Sequence, residues 1–259
     1  MNNKIPKVLT IAGSDSGAGA GIQADLKTFA SLGVYGISAI TSVTSQNTKK
    51  VSAVYDLPPS VVRSQIEAVL SDIGADAVKI GMLSDSSIIK TISAALKKYK
   101  VRNIVLDTVM VSGTGTRLLK KSAIATLKKE LMPLALIVTP NIQEAETLSG
   151  LKIDTEEDMK KAARKIKMLG CKNILIKGSH LNKSIVTDIF YNGKQFTAIK
   201  NKRIPKKSHG TGCTLSSAIA AYLAKGCNIK ESVKKATIYT QTAIKNSYKI
   251  NSNSYALKH

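Results

Sequence analysis

The chain alternates short apolar runs with longer segments in which apolar residues recur at helical spacing. Runs that stay apolar without polar alternation are typical of strands buried on both faces of a parallel sheet. The strands predicted on this basis are 7–11, 34–40, 77–80, 104–107, 136–139 and 173–177, and an extended segment is predicted near 51–55. Helices are predicted between and after them, near 21–32, 58–72, 86–98, 121–131, 142–149, 155–169, 212–225 and 229–247.

Two segments near the end of the chain have other patterns. Two β-prone runs flank Asn192-Gly193, so residues 185–200 are predicted to form a small β-hairpin. The last dozen residues are polar and are expected to be frayed. No linker, repeat or low-complexity block divides the chain, which favours a single domain over residues 1–259. The predicted fold class is α/β, a mostly parallel central sheet with helices on both faces.

Composition is that of an ordinary globular protein, with 259 residues, 43% hydrophobic and 22% charged. The first residues lack the apolar region of a signal peptide, and no apolar run is long enough to cross a membrane. The three cysteines have neither disulfide-framework nor zinc-site spacing. These features predict a reduced, cytoplasmic protein.

The charge balance is strongly basic, with 39 Lys+Arg against 17 Asp+Glu and a net charge of +22. Such a balance raises the possibility of nucleic-acid binding. The lysines are spread along the chain in pairs such as Lys97-Lys98, Trp is absent, and no zinc finger or RNP motif occurs. We therefore interpret the charge as a solvated surface and expect no specific nucleic-acid or membrane partner.

The residues that follow each predicted strand are the first candidates for chemistry, because ligands of such sheets bind at the carboxyl ends of the strands. Alternating glycines follow the first strand, and a polar segment, 41–48, follows the second. Gln46 in that segment could offer a donor and an acceptor to one edge of a heteroaromatic ring. Met82 could cover an apolar ring face. The simpler alternatives are a tight turn for the glycine segment, a polar turn with internally satisfied hydrogen bonds for 41–48, and a place in the core for Met82.

Two carboxylates and a lysine are predicted at the same edge of the sheet. Asp107 ends the run "NIVLD", Asn141 and Glu144 begin the next helix at i, i+3 spacing, and Lys177 ends "ILIKG". Asp107 and Glu144 could hold Mg²⁺ through waters. Asn141 and Glu144 could instead be a capping box, since the N-x-x-E spacing suits it. The spacing alone leaves both interpretations open.

The segment Gly210-Thr211-Gly212-Cys213 opens a helix rich in small residues. Unpaired N–H groups at a helix N-terminus bind anions, which suits the charge of a transferring phosphoryl group. A thiol there is expected to have a lowered pKa, so Cys213 could accept a proton from a substrate hydroxyl. The alternative is a turn beside a small buried cysteine. His209 is expected to be a structural hydrogen-bonding residue rather than a base.

Seven segments in order resemble the ribokinase-like kinases, and more narrowly the hydroxymethylpyrimidine/phosphomethylpyrimidine kinases of thiamine biosynthesis. They are "TIAGSDSGAGAGIQADLKTF", "TSVTSQNT", "KIGML", "LDTVMVSGTG", "VTPNIQEAETLSG", "ILIKGSH" and "HGTGCTLSSAIAAYLAKG". The resemblance implies a ribokinase-like fold, ATP as co-substrate and Mg²⁺. It implies phosphorylation of 4-amino-5-hydroxymethyl-2-methylpyrimidine, then of its monophosphate to the diphosphate. A pyridoxal/pyridoxine kinase on the same fold is the alternative.

The resemblance also implies a role for each matching residue. The implied pyrimidine pocket is Gly13, Ala20, Asp25, Gln46, Met82 and Val109. The implied ATP-binding residues are Lys177, Asn141 and Thr211, and the implied metal-associated residues are Asp107 and Glu144. Gly210, Thr211 and Gly212 would form the anion hole, with Cys213 as the catalytic base. The expected partners are a small pyrimidine and ATP, and the expected assembly is a homodimer.

Two positions depart from the pattern of the family. Thr108 stands where the family typically has proline, which changes chain stiffness beside Asp107. Ser179 stands where a second glycine is usual, so the backbone there is expected to approach the nucleotide phosphates differently. Neither departure removes a residue of the implied site.

Overall fold

The computed structural model describes residues 5–179, 184–206, 208–252 and 254–259. The strands of its main sheet are β1 (Lys7–Asp15), β2 (Tyr35–Gln46), β3 (Val51–Asp56), β4 (Ala77–Ile80), β5 (Ile104–Leu106), β6 (Ile137–Val138), β7 (Asn173–Ile176), β8 (Ile185–Tyr191) and β9 (Phe196–Lys202). Their order across the sheet is β3-β2-β1-β4-β5-β6-β7-β8-β9. The β1–β2, β1–β4, β4–β5, β5–β6 and β6–β7 pairs are parallel.

Antiparallel pairs close both edges of this sheet. β3 pairs with β2 at one edge, and the β8–β9 hairpin pairs with β7 at the other. The predicted mostly parallel α/β fold and the hairpin are therefore confirmed, with the hairpin continuing the central sheet.

Helices cover both faces of the sheet. They are α1 (Gly21–Ser31), α2 (Pro59–Ala68), α3 (Ser86–Lys98), α4 (Ile124–Thr126), α5 (Ile142–Ser149), α6 (Glu156–Lys167), α7 (Thr211–Ala224) and α8 (Ile229–Lys245). One hydrophobic core lies between the sheet and α2, α3, α5 and α6, and the other lies between the sheet and α1, α7 and α8. The helix predicted near 121–131 is instead a series of short 3₁₀, α and π turns over Lys121–Leu134.

The alternation of side chains along the central strands divides them between the two cores. In β4, Val78 and Ile80 belong to the core under α2 and α3, whereas Ala77 belongs to the core under α1 and α7. Lys79 shares the face of Ala77 and is fully buried there. A lysine in that position needs a partner, because burying an unpaired charge is costly.

The first two strands are longer than predicted. β1 continues through the glycine segment to Asp15, with an irregularity in its pairing between Ala12 and Ser14. β2 continues to Gln46, so most of the polar segment predicted as a loop is strand. The reason is that β3 pairs with the second half of β2 and satisfies its backbone groups.

The described residues at the end of the chain, 248–252 and 254–259, are ordered, which corrects the expectation that this end is frayed. β10 (Tyr248–Asn251) and β11 (Ser254–Ala256) form a small antiparallel sheet, and Leu257 is 3% exposed. His259 Nε2 lies 3.0 Å from the hydroxyl of Thr214 in the first turn of α7. Burial lowers the pKa of His259 to about 4, so this contact is made by a neutral imidazole. Within the described residues, no helix is both long and apolar enough to span a bilayer.

Candidate active site

A cavity of about 780 Å³ lies at the carboxyl ends of the parallel strands. Its walls come from segments that are far apart in sequence and that the sheet order brings to one edge. The predicted site residues that line it are Gly13, Ala20, Gln46, Met82, Asp107, Val109, Asn141, Glu144, Lys177, Gly210, Thr211, Gly212 and Cys213. Of the predicted residues, Asp25 alone is absent from the lining.

The N-terminus of α7 opens into this cavity. Gly210 precedes the helix with a φ of +84°, in the left-handed region that favours glycine, and a Cβ there would overlap the backbone oxygen of Gly19. No side chain caps the helix, so the first N–H groups keep their capacity to bind a ligand. A Cβ at Gly212 would lie 3.3 Å from the Lys177 ammonium, so that cation stands beside the same turn. The geometry therefore fits an anion hole.

Cys213 is half-buried at the cavity wall on this turn. Burial raises the pKa of its thiol to about 11, and nearby Lys79 only partly offsets that effect. The expected lowering of the pKa is therefore wrong, because desolvation of the thiolate outweighs the helix dipole. The resting thiol is neutral at physiological pH.

Asp107, which is buried, and Lys177, which is partly buried, form an ion pair beside the N-terminus of α7. Lys177 Nζ donates to Asp107 Oδ1 at 3.1 Å, and the hydroxyls of Thr139 and Ser216 also donate to this carboxylate, at 3.1 and 3.2 Å. Burial raises the pKa of Asp107, but the charges of Lys177 and Lys79 outweigh it and hold that pKa below its usual range. Asp107 is thus an ionised, well-held carboxylate.

Glu144 lies close to Asp107 but ionises less readily. Burial, with the negative charge of Asp107 adding to it, raises the pKa of Glu144 to about 7. The capping box left open by the sequence is present, since Asn141 Oδ1 accepts from the Glu144 N–H and Glu144 Oε2 accepts from the Asn141 N–H, both at 2.9 Å. Among the described residues, Glu144 Oε1 has no hydrogen-bond partner.

The two carboxylates can be tested as a Mg²⁺ site from these contacts. In the described part of the chain, no group of three or more His, Cys, Asp or Glu side chains is placed to hold a metal. Mg²⁺ does not need one, because it usually keeps several waters and takes one or two carboxylates together with substrate phosphates. A cation between Asp107 and Glu144 would relieve the repulsion that raises the Glu144 pKa. The donor set fits.

Both departures from the family pattern have structural consequences. The Thr108 hydroxyl, which proline would lack, donates to Glu144 Oε2 at 3.2 Å. Ser179 lines the cavity, and the Arg203 guanidinium donates to its backbone oxygen. The Thr108 departure thus adds a contact at the site, whereas the bond at Ser179 is to a backbone oxygen that glycine would also have.

Asp25 lies beneath the cavity, which corrects its assignment to the pyrimidine pocket. It is fully buried and forms an ion pair with Lys79, whose Nζ lies 2.8 Å from both carboxylate oxygens. The hydroxyls of Thr10 and Ser217 donate to it at 2.6 and 2.7 Å. Because Ser217 is one turn beyond Cys213, Asp25 ties α7 to the sheet. A lysine inside the apolar run "AVKIG" is the sequence signal for this pair, because a buried lysine needs a buried partner.

Two other groups of lining residues were missed. Asp15 and His209 are linked to Gln46 at the end of the cavity formed by β1 and β2, which agrees with the hydrogen-bonding role expected of His209. The β8–β9 hairpin, at the other edge of the sheet, lines the cavity through Val186 and Asp188. The segment after it and α8 add Arg203, Ile204, Lys206, Ser208, Thr240, Gln241 and Ile244. Their sequences have no motif that distinguishes them from an ordinary hairpin and helix.

Phosphomethylpyrimidine kinases are similar to this chain both in sequence and in structure. The chain is 49% identical over 92% of its length to the "Thiamine biosynthesis bifunctional protein ThiED" of Geobacter sulfurreducens, and it spans about half (49%) of that protein. A crystal structure of phosphomethylpyrimidine kinase from Clostridium difficile 630 superposes with a TM-score of 0.83 at 49% identity, covering 93% of this chain and 100% of the other.

A pyridoxal kinase is also a close structural neighbour. The Staphylococcus aureus enzyme in complex with pyridoxal superposes with a TM-score of 0.92 at 40% identity, covering 99% of this chain and 94% of the other. The sequence profile described as "Phosphomethylpyrimidine kinase" matches residues 15–258, almost the whole chain. With these matches and the site geometry, the chain belongs to the phosphomethylpyrimidine kinase family.

Proposed function

We propose that this chain transfers the γ-phosphoryl group of ATP to 4-amino-5-hydroxymethyl-2-methylpyrimidine, and then phosphorylates the monophosphate to the diphosphate, in thiamine biosynthesis. One observation carries the proposal: the uncapped N-terminus of α7, with Cys213 and Lys177 beside it, lies in a cavity bounded at one end by Gln46 and at the other by the β8–β9 hairpin. We also propose that residues 1–259 work as one kinase domain.

The proposed reaction is an in-line displacement. The hydroxymethyl oxygen attacks the γ-phosphorus, the bond from that phosphorus to the bridging oxygen breaks, and ADP leaves with the electron pair. The substrate proton passes to the Cys213 sulfur in its thiolate form. A loose transition state gathers charge on the phosphoryl oxygens, so the N–H groups of α7 and Lys177 contribute more than proton removal does.

Each remaining residue has a role that follows from its contacts. Asp107 and Glu144 would hold Mg²⁺, which neutralises phosphate charge when bound. Asn141 fixes Glu144 through the capping box. At the other end of the cavity, Gly13, Ala20, Met82 and Val109 would enclose the pyrimidine ring, and Gln46 would bind its polar edge.

The direct test is product analysis with purified protein, Mg-ATP and a panel of substrates. We expect the hydroxymethylpyrimidine to give a monophosphate and then a diphosphate, with ADP released at each step. The second candidate is pyridoxal kinase, favoured by the fit to the Staphylococcus aureus structure. A kcat/KM for pyridoxal far above that for the pyrimidine would overturn the proposal in its favour. Salt-sensitive nucleic-acid binding without ATP turnover would instead indicate a binding protein.

Replacing Glu144 with glutamine is expected to lower activity and to remove one source of the pH dependence of stability. We expect kcat/KM to fall roughly 10–100-fold, since a neutral amide binds Mg²⁺ poorly. Burial raises the pKa of Glu144 from 4.5 to about 7, so the folded chain holds this proton more tightly than the unfolded chain. That contribution to stability is complete below about pH 4.5 and is lost as the pH rises through about 7. The variant has no such proton to lose.

Thermal unfolding without Mg²⁺ measures the second effect. The Tm of Glu144→Gln relative to the unchanged protein should rise by roughly 2–6 °C between pH 5 and pH 8. The matched control is Glu157→Gln, on the exposed start of α6, which should change neither activity nor this difference. A constant Tm difference across the pH range would contradict the raised pKa.

The compartment and the assembly are further proposals. The described cysteines, Cys171, Cys213 and Cys227, are all free, which supports the reducing environment of a cytoplasm. We infer a homodimer, for which Val54 and Tyr55, exposed on the edge strand β3, offer an apolar surface. Sedimentation analysis tests the assembly, and a monomer at micromolar concentration would contradict it.

A further inference from the structure

Three polar side chains are linked at the pyrimidine end of the cavity. His209 Nε2 lies 3.2 Å from Asp15 Oδ2 and 2.8 Å from the terminal amide nitrogen of Gln46. All three residues line the cavity. One ring nitrogen therefore contacts both a carboxylate and an amide. Whether that nitrogen carries a proton decides which group donates and which accepts in each hydrogen bond.

The contacts of Asp15 indicate where that proton is. Its carboxylate already accepts backbone N–H groups from Gly17 at 2.8 Å, Ala20 at 2.8 Å and Gly19 at 3.2 Å. Burial raises the pKa of Asp15, but these hydrogen bonds and that of His209 outweigh it and lower the pKa below its usual value. An ionised carboxylate only accepts hydrogen bonds, so the facing His209 Nε2 must carry a hydrogen.

A proton on His209 Nε2 determines the orientation of the Gln46 amide. An N–H cannot bond to the amide NH₂ group, but it can be shared between Asp15 Oδ2 and the amide oxygen of Gln46. The two ends of an amide have nearly the same shape, so a half-turn of the group brings the oxygen to His209 at the same distance. That half-turn turns the NH₂ group of Gln46 away from His209 and leaves it free to donate to a ligand.

The imidazole is held in place by two glycines. A Cβ at Gly19 would lie 2.5 Å from His209 Cδ2, so the ring packs directly on the glycine backbone. A Cβ at Gly113 would lie 3.5 Å from His209 Nδ1, on the other side. At Gly19 only a residue without a β-carbon fits against the ring, and this close packing keeps Nε2 directed at both partners.

We propose that His209 is a positioning residue that turns the Gln46 amide so that its NH₂ group faces the substrate. The site then selects a ring that presents a hydrogen-bond acceptor at this edge, as the ring nitrogen of an aminopyrimidine does, and disfavours one that presents only a donor. This inference rests on the proposed function, because it assumes that the substrate ring lies against Gln46.

The first experiment locates the proton without using activity. Long-range ¹H–¹⁵N correlation NMR distinguishes the two imidazole tautomers, and the chain has only 3 histidines. The His209→Gln variant assigns the His209 signals by their loss. We expect Nε2 to be protonated at pH 7.5 in the substrate-free protein. A bare Nε2 with the proton on Nδ1 would overturn the inference, whether or not the protein phosphorylates the pyrimidine.

The second experiment uses Gln46→Glu, which keeps the acceptor for His209 but removes the donor. If the NH₂ group binds the ring nitrogen, the KM for the pyrimidine should rise roughly 10–100-fold, with kcat and the KM for ATP within about threefold. An unchanged or lower pyrimidine KM would mean that the amide oxygen faces the substrate, which overturns the inference. The matched control is Asn47→Asp, which adds the same charge at the next, exposed residue and should leave the kinetics unchanged.

Two substitutions of His209 complete the test. His209→Leu removes the N–H and should raise the pyrimidine KM about tenfold, since the Gln46 amide can then rotate. His209→Gln supplies another N–H donor and should restore the KM to within about threefold of the unchanged protein. Equal KM values for the two variants would show that His209 only fills space. If the unchanged protein does not act on the pyrimidine, the proposed function fails, and the NMR result still decides the tautomer.

Discussion

Replacing Cys213 with serine is expected to lower kcat roughly 10²–10⁴-fold, the range typical of a lost general base, while the Kd values for ATP and the pyrimidine stay within about threefold. Serine keeps the size and polarity of the side chain, so the first turn of α7 retains its N–H groups. A serine hydroxyl does not ionise in the range where a thiol does, so it cannot accept the substrate proton.

The pH dependence gives this prediction a second readout. Because burial raises the pKa of Cys213 to about 11, the reactive thiolate is scarce at neutral pH and increases as the pH rises. The kcat of the unchanged enzyme should therefore rise between pH 7 and pH 9, whereas that of Cys213→Ser should not. Cys227→Ser, outside the cavity lining, is the matched control and should have normal kinetics. Near-normal turnover by Cys213→Ser would reduce the thiol to a packing role.

The largest loss of stability is expected when the Lys79–Asp25 pair is broken. Both side chains are 0% exposed, so removing either one leaves an uncompensated charge in the core. Burial lowers the pKa of Lys79, but the negative charge of Asp25 outweighs it and raises that pKa above its usual value, so Lys79 stays charged. Lys79→Met should cost about 3–5 kcal/mol, or on the order of 10 °C in Tm.

A double variant shows whether the charge itself is the cause. In Asp25→Asn/Lys79→Met both charges are gone. The asparagine oxygen can accept from one of the two hydroxyls, Thr10 or Ser217, and its NH₂ group can donate to the oxygen of the other. We expect most of the lost stability to return, as measured by denaturant unfolding. Lys98→Met, which breaks the exposed pair with Glu67, should cost under about 1 kcal/mol. A double variant as unstable as Lys79→Met would show that packing, not charge, is responsible.

The strands of the parallel sheet could be predicted because strands buried on both faces are uninterrupted apolar runs in the sequence. The apolar run at 104–106 is buried as a central strand, and Asp107, which follows it, lines the cavity as expected. The same reasoning placed Gly210–Cys213 correctly at the N-terminus of a helix. Where the chemistry depends only on the end of a strand or the start of a helix, local pattern is enough.

The errors have a common physical cause, which is contact between residues far apart in sequence. The resemblance implied Asp25 in the pyrimidine pocket, but Asp25 is paired with Lys79, which is 54 positions away along the chain. The pKa of Cys213 follows from burial by the whole fold, which a helix N-terminus alone does not reveal. The order at the end of the chain depends on contacts such as that of His259 with Thr214.

Two adjacent serines, Ser216 and Ser217, bond the first turns of α7 to the rest of the fold. Substitutions there are expected to affect one another, whereas substitutions at the two ends of the cavity are not. Ser216 donates to Asp107, just after β5, and Ser217 donates to Asp25 on α1, so one turn of α7 is bonded both to the end of a central strand and to a neighbouring helix. Substitutions within this turn share partners, and their effects will not add. Gln46 and the β8–β9 hairpin lie at opposite ends of the cavity and share no contact with the serines. If Gln46 binds the pyrimidine as proposed, the acceptor specificity can therefore be changed at Gln46 without disturbing this turn of α7.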